Sequence, residues 1–271
     1  MTDIAYQRSV TMFDRDKCQR LFDKYYAGAK FHDTRYRDLI PKYLRPGERV
    51  LDAGCGRYLK FSRELSDSAQ VVGIDLESTL DTANRQFPFG IRGDLAALPF
   101  PDATFDMVIS RSVVEHLSDP RRVFREFNRV LRPGGRVVII TPNKYDYVSL
   151  IAAVTPYRLH RALVSWIFRV PADDVFPTLH RANTISALRK ALSSAGLLEK
   201  ELDAINHYPA CLMFSPLLFR IGVAYERLTS LRLFRSLRGS LLCAFCKPEN
   251  HGAGECAPGY ARRRSVPLEV S

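Results

Sequence analysis

The 271-residue chain has no run of eighteen uninterrupted apolar residues, which argues against a helical membrane span. The nearest stretch, Tyr208 to Tyr225, is broken by Pro209, Pro216 and Arg220 and reads as loop plus helix. The opening residues, Met1 to Tyr6, lack a basic region followed by an apolar one, so no secretory leader is expected. Cysteine is sparse. Six in a chain of this size make no disulfide framework, and a reduced, cytoplasmic protein is the expectation. There is no internal repeat. Acidic residues are scarce in one region: residues 151–247 hold 13 basic against 6 acidic side chains, and this region carries most of the formal net charge of +11. Such an excess favours an anionic partner, whether a membrane surface, an acidic substrate or nucleic acid.

A core of ordinary size is available, with 46% hydrophobic and 25% charged residues. Residues 50–58, Val-Leu-Asp-Ala-Gly-Cys-Gly-Arg-Tyr, read as the end of a buried strand followed by a tight turn at Gly54 and Gly56. A helical pattern over Leu59–Leu65 completes a strand–turn–helix cradle with backbone N–H groups at a helix N-terminus. Strands follow at Val71–Asp75, Ile91–Asp94, Phe105–Ser110 and Arg136–Thr141. Helices are expected at Leu80–Phe87 and Pro120–Leu131, the latter stopped by Arg132-Pro-Gly-Gly135. Alternating strands and helices imply a parallel, doubly wound α/β sheet over roughly residues 46–142.

The rhythm then breaks. Residues 143–183 show no strand. A helix from Ile185 to Ala195, a strand at Leu197–Ile205, a second insertion at 207–239 and a last strand at Leu241–Phe245 follow. Residues 1–45 read as a helical N-terminal cap, with helical spacing from Lys17 to Tyr26, and 46–247 as the main domain. Residues 248–271, rich in Gly, Pro, Arg and Glu, read as a disordered tail.

In an open α/β sheet the ligand lies beyond the carboxyl ends of the strands, where Asp52, Asp75, Asp94 and Ser110 all fall. Asp75 can accept two hydrogen bonds from ribose hydroxyls. Asp52 can meet an ammonium group or order the glycine turn, and Asp94 lies beside the position of a base. Three acids and no P-loop lysine suit a ligand that carries positive charge rather than a polyphosphate. A dinucleotide fingerprint needs a third glycine where Leu59 stands.

Four blocks complete the pattern: VLDAGCG at 50–56, VVGIDLE at 71–77, GDLAALPFPDATFDMVISRSVVEHL at 93–117 and LRPGGRVVIITPN at 131–143. In these the chain resembles the class I S-adenosylmethionine-dependent methyltransferases, in particular the type 11 group. The resemblance implies a Rossmann-like, doubly wound seven-stranded sheet whose last strand is antiparallel, with insertions after strands 5 and 6. It implies S-adenosyl-L-methionine as cofactor. Asp52, Gly54 and Gly56 would hold its methionine part, Asp75 the ribose, and Asp94 with Leu95 the adenine; Leu76 and Ser110 complete the set. One departure is Tyr58, where the family often has glycine.

Methyl transfer needs a base only where the acceptor must lose a proton, and His116, just beyond the fourth strand, is the candidate. His180 and Tyr145 are weaker ones. The acceptor is expected to be a small molecule, glycan or lipid-linked group, methylated at a hydroxyl. RNA methylation and cofactor binding without catalysis are the alternatives. Cys243, Cys246, His251 and Cys256 have the spacing of a zinc knuckle, yet residues three apart on a strand face opposite sides, so no metal is expected. The helix from Pro216 carries an apolar stripe with Arg220, Arg227 and Arg238 along one side. It either packs on its own domain or makes a peripheral membrane contact.

Overall fold

A computed structural model describes residues 15–29, 31–56, 64–76, 90–168 and 176–249. Seven strands form one sheet: β1 Arg49–Ala53, β2 Gln70–Asp75, β3 Gly90–Arg92, β4 Phe105–Arg111, β5 Leu131–Pro142, β6 Leu198–Ile205 and β7 Ser240–Cys246. Their order is β3-β2-β1-β4-β5-β7-β6. β7 runs antiparallel to both neighbours and the other pairs are parallel. This is the doubly wound sheet with an antiparallel last strand that the sequence implies. The order reverses between β1 and β4, which opens a crevice at their carboxyl ends.

Both faces of the sheet are covered, so Val50 and Leu51 of β1 and Met107, Val108 and Ile109 of β4 are all buried. On one face lie α3 (Pro120–Val130) and α6 (Ile185–Ser194), which bury Phe124, Phe127, Leu188 and Leu192 against Val108, Val137 and Ile139. A buried aromatic or leucine side chain contributes about 1.5–3 kcal/mol. α3 starts where it does because the Asp119 carboxylate accepts from Arg122 N at 3.1 Å, with Pro120 in the first turn. Thr184 caps α6 in the same way, accepting from Ala187 N. On the other face α2 (His32–Tyr43) buries Tyr36, Leu39 and Ile40 against Val50, Met107, Ile109 and Val138.

Several elements differ from the expectation. α1 (Arg15–Tyr26) matches the helical spacing expected from Lys17 to Tyr26, whereas α2 lies in the expected helical cap where no particular helical spacing is read. Arg132-Pro-Gly-Gly135 ends α3 but does not precede the strand: it is an irregularity within β5, which already pairs Leu131 with Phe105. Gly134 takes a positive φ of 76° there, and its N–H donates to Lys247 O at 3.0 Å. The helices expected over Leu59–Leu65 and Leu80–Phe87 fall largely or wholly outside the described residues, as does the tail from residue 250.

The insertion after β5 forms α4 (Tyr147–Val154) and α5 (Tyr157–Phe168). The insertion after β6 forms α7 (Pro216–Ser230) between two 3₁₀ turns, Ala210–Leu212 and Arg232–Leu237. Pro142 and Ile205 both pair with Ser240, so the two insertions leave the sheet at the same edge, its carboxyl end. Asn143 joins them by donating from Nδ2 to Ser236 O and Arg238 O, each at 2.7 Å.

Candidate functional site

The turn after β1 is built by hydrogen bonds to its neighbour β2. Gly54 N and Cys55 N both donate to Ile74 O, at 2.8 and 3.3 Å. Gly56 N donates to Asp75 Oδ2 at 2.8 Å. Gly54 sits at φ 82°, and a Cβ there would lie 2.1 Å from Val113 Cγ2, so the position excludes a side chain twice over. A Cβ on Gly56 would meet nothing within 4 Å, so this part of the turn is open.

Around this turn the structure brings together Asp52, Gly54, Gly56 and Asp75. Asp52 is buried in register with Gly73, and Asp75 is half-buried at the end of β2. Ser110 is also there, but its Oγ donates to Ala53 O at 3.0 Å and the side chain is buried: it ties β4 to the end of β1. Leu76 stands exposed beside Asp75. Asp94 lies past the end of β3, where its carboxylate accepts from Ala96 N at 2.8 Å, and Leu95 packs into the core. These residues fit S-adenosylmethionine. Open backbone beside Asp75 suits a ribose, an exposed leucine suits a flat apolar base, and the acids suit a cation.

The second cluster follows β4. The 3₁₀ turn Val114–His116 holds Glu115 buried and His116 half-buried. His116 Nδ1 lies 2.9 Å from Pro177 O. A carbonyl oxygen can only accept, so Nδ1 carries the hydrogen and Nε2 keeps its lone pair. Glu115 Oε1 is 3.9 Å from that Nε2. Thr141 Oγ1 donates to Glu115 Oε2 at 2.9 Å, and Asn183 Nδ2 donates in turn to Thr141 Oγ1 at 2.6 Å. Burial pushes the Glu115 carboxyl above its ordinary range. Leu179 N and His180 N donate to Glu115 O, at 2.7 and 3.1 Å, pinning the 176–183 segment to the turn.

Of the weaker candidates, His180 has no partner for Nδ1, and burial pushes its imidazole below the usual value. Tyr145 is exposed at the start of the insertion, not in this cluster. Glu115, Thr141 and Asn183 were missed from the sequence. The signal for Glu115 is its place beside His116, but an acid there reads equally as a solvated one.

A third group lies where the insertions meet α1 and α2. Phe22, Tyr26, Tyr208, Met213, Phe219 and Val223 form a separate apolar core, with Phe31 and Tyr208 ring centroids 4.6 Å apart. Tyr26 donates to Glu226, joining α1 to α7. The pairing of Asp33 with Arg111 at the end of β4, 3.4 Å apart, brings the start of α2 to the same edge as the glycine turn. Arg238 does not lie along α7 as expected. The helix ends at Ser230, and Arg238 is spent on the carbonyls of Ala204, Thr229 and Ser230.

Within this group Asp146 caps α4 and is buried, with Oδ2 3.8 Å from His207 Nε2. Burial pushes Asp146 up to about 7 and His207 down to about 4. The two act on stability with opposite sign. The folded state holds extra protons at Asp146 between its ordinary value near ~4 and about 7, so stability falls as pH rises there. The unfolded state holds extra protons at His207 between about 4 and its ordinary ~6.5, so stability rises with pH. In the wild type the two nearly cancel. Asp146→Asn, which still caps a helix, is expected to unmask the rise. Relative to wild type it should gain on the order of 2–4 kcal/mol between pH 4 and 7. Thermal midpoints of both proteins across that range check this, and parallel curves would contradict it.

Four cysteines, Cys18, Cys55, Cys211 and Cys243, form no disulfide, whereas Cys246 is disulfide-bonded, which departs from the all-reduced reading. Cys243 is buried within β7, and no group of metal-binding side chains occurs among the described residues. His251 and Cys256 of the knuckle-like spacing lie outside those residues.

With this geometry in view, comparison with known proteins decides the family. A family model described as a methyltransferase domain matches residues 51–139. The ubiquinone/menaquinone biosynthesis C-methyltransferase UbiE of Cronobacter sakazakii is 32% identical over 183 residues, which cover 61% of this chain and 70% of that protein. The chain belongs to the class I S-adenosylmethionine-dependent methyltransferase family. A probable S-adenosylmethionine-dependent methyltransferase of Mycolicibacterium smegmatis is 39% identical over 119 residues, 43% of this chain and 46% of the relative. The chain thus spans less than half the length of several curated relatives it matches. A Mesorhizobium loti S-adenosylmethionine-dependent methyltransferase shares the fold, with a TM-score of 0.53 at 21% identity over 79% of this chain and 96% of that one. Among the described residues no helix is long and apolar enough to cross a membrane.

Proposed function

We propose that this methyltransferase-family chain methylates a hydroxyl of a small-molecule, glycan or lipid-linked acceptor, with His116 as the base. The observation that carries the reading is the hydrogen bond from His116 Nδ1 to Pro177 O, which leaves Nε2 free to accept a proton. In this reading Asp75 and the Gly54–Gly56 turn hold the nucleoside and methionine ends of the donor. When bound, the donor supplies a methyl group activated on a sulfonium. The acceptor oxygen would form the new C–O bond as the S–CH3 bond breaks and its electron pair returns to sulfur, leaving the neutral thioether of the demethylated product; the hydroxyl proton would pass to Nε2, and Glu115, 3.9 Å away, would steady the imidazolium when ionised. The rest of the rate comes from holding the acceptor in line and excluding water, a task for the two insertions at the carboxyl edge.

The acceptor class is supported by a relative named for quinone biosynthesis and another named a phosphoethanolamine N-methyltransferase. Neither is a macromolecule methyltransferase. The test is methyl-labelled donor incubated with the protein and separate small-molecule, lipid and RNA extracts of its own cells. Label in an ether of a small or lipid product is the expected result. Label confined to RNA would overturn the reading.

A further inference from the structure

We infer that α7 and the turn after it form a docking surface for an anionic lipid bilayer, whatever the acceptor proves to be. α7 is apolar on two sides. One side buries Phe219 and Val223 in the core shared with Tyr26 and Tyr208. The other exposes Leu217, Ile221 and Leu228, whose spacings of four and seven residues put them within ~40° of one another around the helix. Their fractional exposures are 67%, 56% and 47%, and the chain continues into Leu231 and then Leu233, 83% exposed. A helix that only packs on its own domain has a polar outer face. The outward stripe is therefore unexplained by the fold.

Charge decides the occupant. Arg220 and Arg227, both exposed, flank the stripe on one side, and exposed Arg232 stands between the two terminal leucines. Arg227 also stacks on Tyr25, with its guanidinium carbon 5.1 Å from the ring centroid. Residues 151–247 as a whole carry 13 basic and 6 acidic side chains. A leucine-rich stripe with an arginine edge matches the boundary between acyl chains and anionic headgroups. A second copy of the chain fits poorly, because it would set two cationic edges against each other. α4 touches α7 through Tyr147 and Tyr225, whose rings are 5.0 Å apart, and it leaves Ile151 and Val154 exposed.

Co-sedimentation with vesicles tests this, using phosphatidylcholine alone and phosphatidylcholine mixed with phosphatidylglycerol. Wild type is expected to sediment with the mixed vesicles at low salt and to be released by high salt. Two variants avoid the Tyr25 contact. R220Q/R232Q should bind about twenty-five-fold more weakly, from about fivefold for each basic side chain near the surface. L217S/I221S/L228S should stay in the supernatant. Both should keep the wild-type thermal midpoint and affinity for S-adenosylhomocysteine, since none of these side chains is buried or near the glycine turn. Wild type remaining in the supernatant with mixed vesicles would overturn the inference. So would variants that sediment as wild type does, or a concentration-dependent dimer that the leucine variant abolishes.

Discussion

His116→Gln is expected to lower kcat about 10²–10⁴-fold, the range for losing a positioned base. The affinity for S-adenosylhomocysteine should not change. Glutamine can still donate to Pro177 O, so the turn is kept while the proton acceptor at the Nε2 position is lost. The KM for the acceptor should stay within a few-fold of wild type, which separates loss of a base from loss of positioning. Steady-state rates on the acceptor identified by labelling supply the comparison. A variant with the wild-type rate would show that the acceptor needs no base.

Asp75→Ala is the second large effect. It removes the carboxylate that accepts from Gly56 N and that would hold the ribose, so it disturbs both the turn and the ligand. A hydrogen bond to a charged group contributes about 1.5–3 kcal/mol. Donor and demethylated product should therefore each bind roughly ten- to a hundredfold more weakly. Equilibrium dialysis with labelled donor measures this. Asp75→Asn should lose less, because its amide oxygen can still accept from Gly56 N. Equal affinity in the alanine variant would remove Asp75 from the site.

The sheet was legible in the sequence because parallel strands covered on both faces read as short apolar runs, as at Val50–Ala53 and Phe105–Ser110. The glycine turn was legible because Gly54 and Gly56 permit a conformation that other residues resist. The helix α2 was hidden. Its buried face is only Tyr36, Leu39 and Ile40 among seven polar or charged residues, and Pro41 in its last turn reads as a breaker. The structure tolerates that proline because it lies near the end. Glu115 was illegible for a different reason. Its role depends on Thr141, twenty-six residues away, and on the loop at 177–180 folding over it, and pattern carries neither. Arg238 was misplaced because helical spacing was extended past Ser230, where the chain turns back to the sheet.

The central claim is that the turn between β1 and β2 is built for S-adenosylmethionine. Calorimetric titration of the wild-type chain with S-adenosylhomocysteine tests it most directly, since it needs neither the acceptor nor turnover. The account predicts saturable binding with one site per chain. Absence of binding by the folded protein would contradict it.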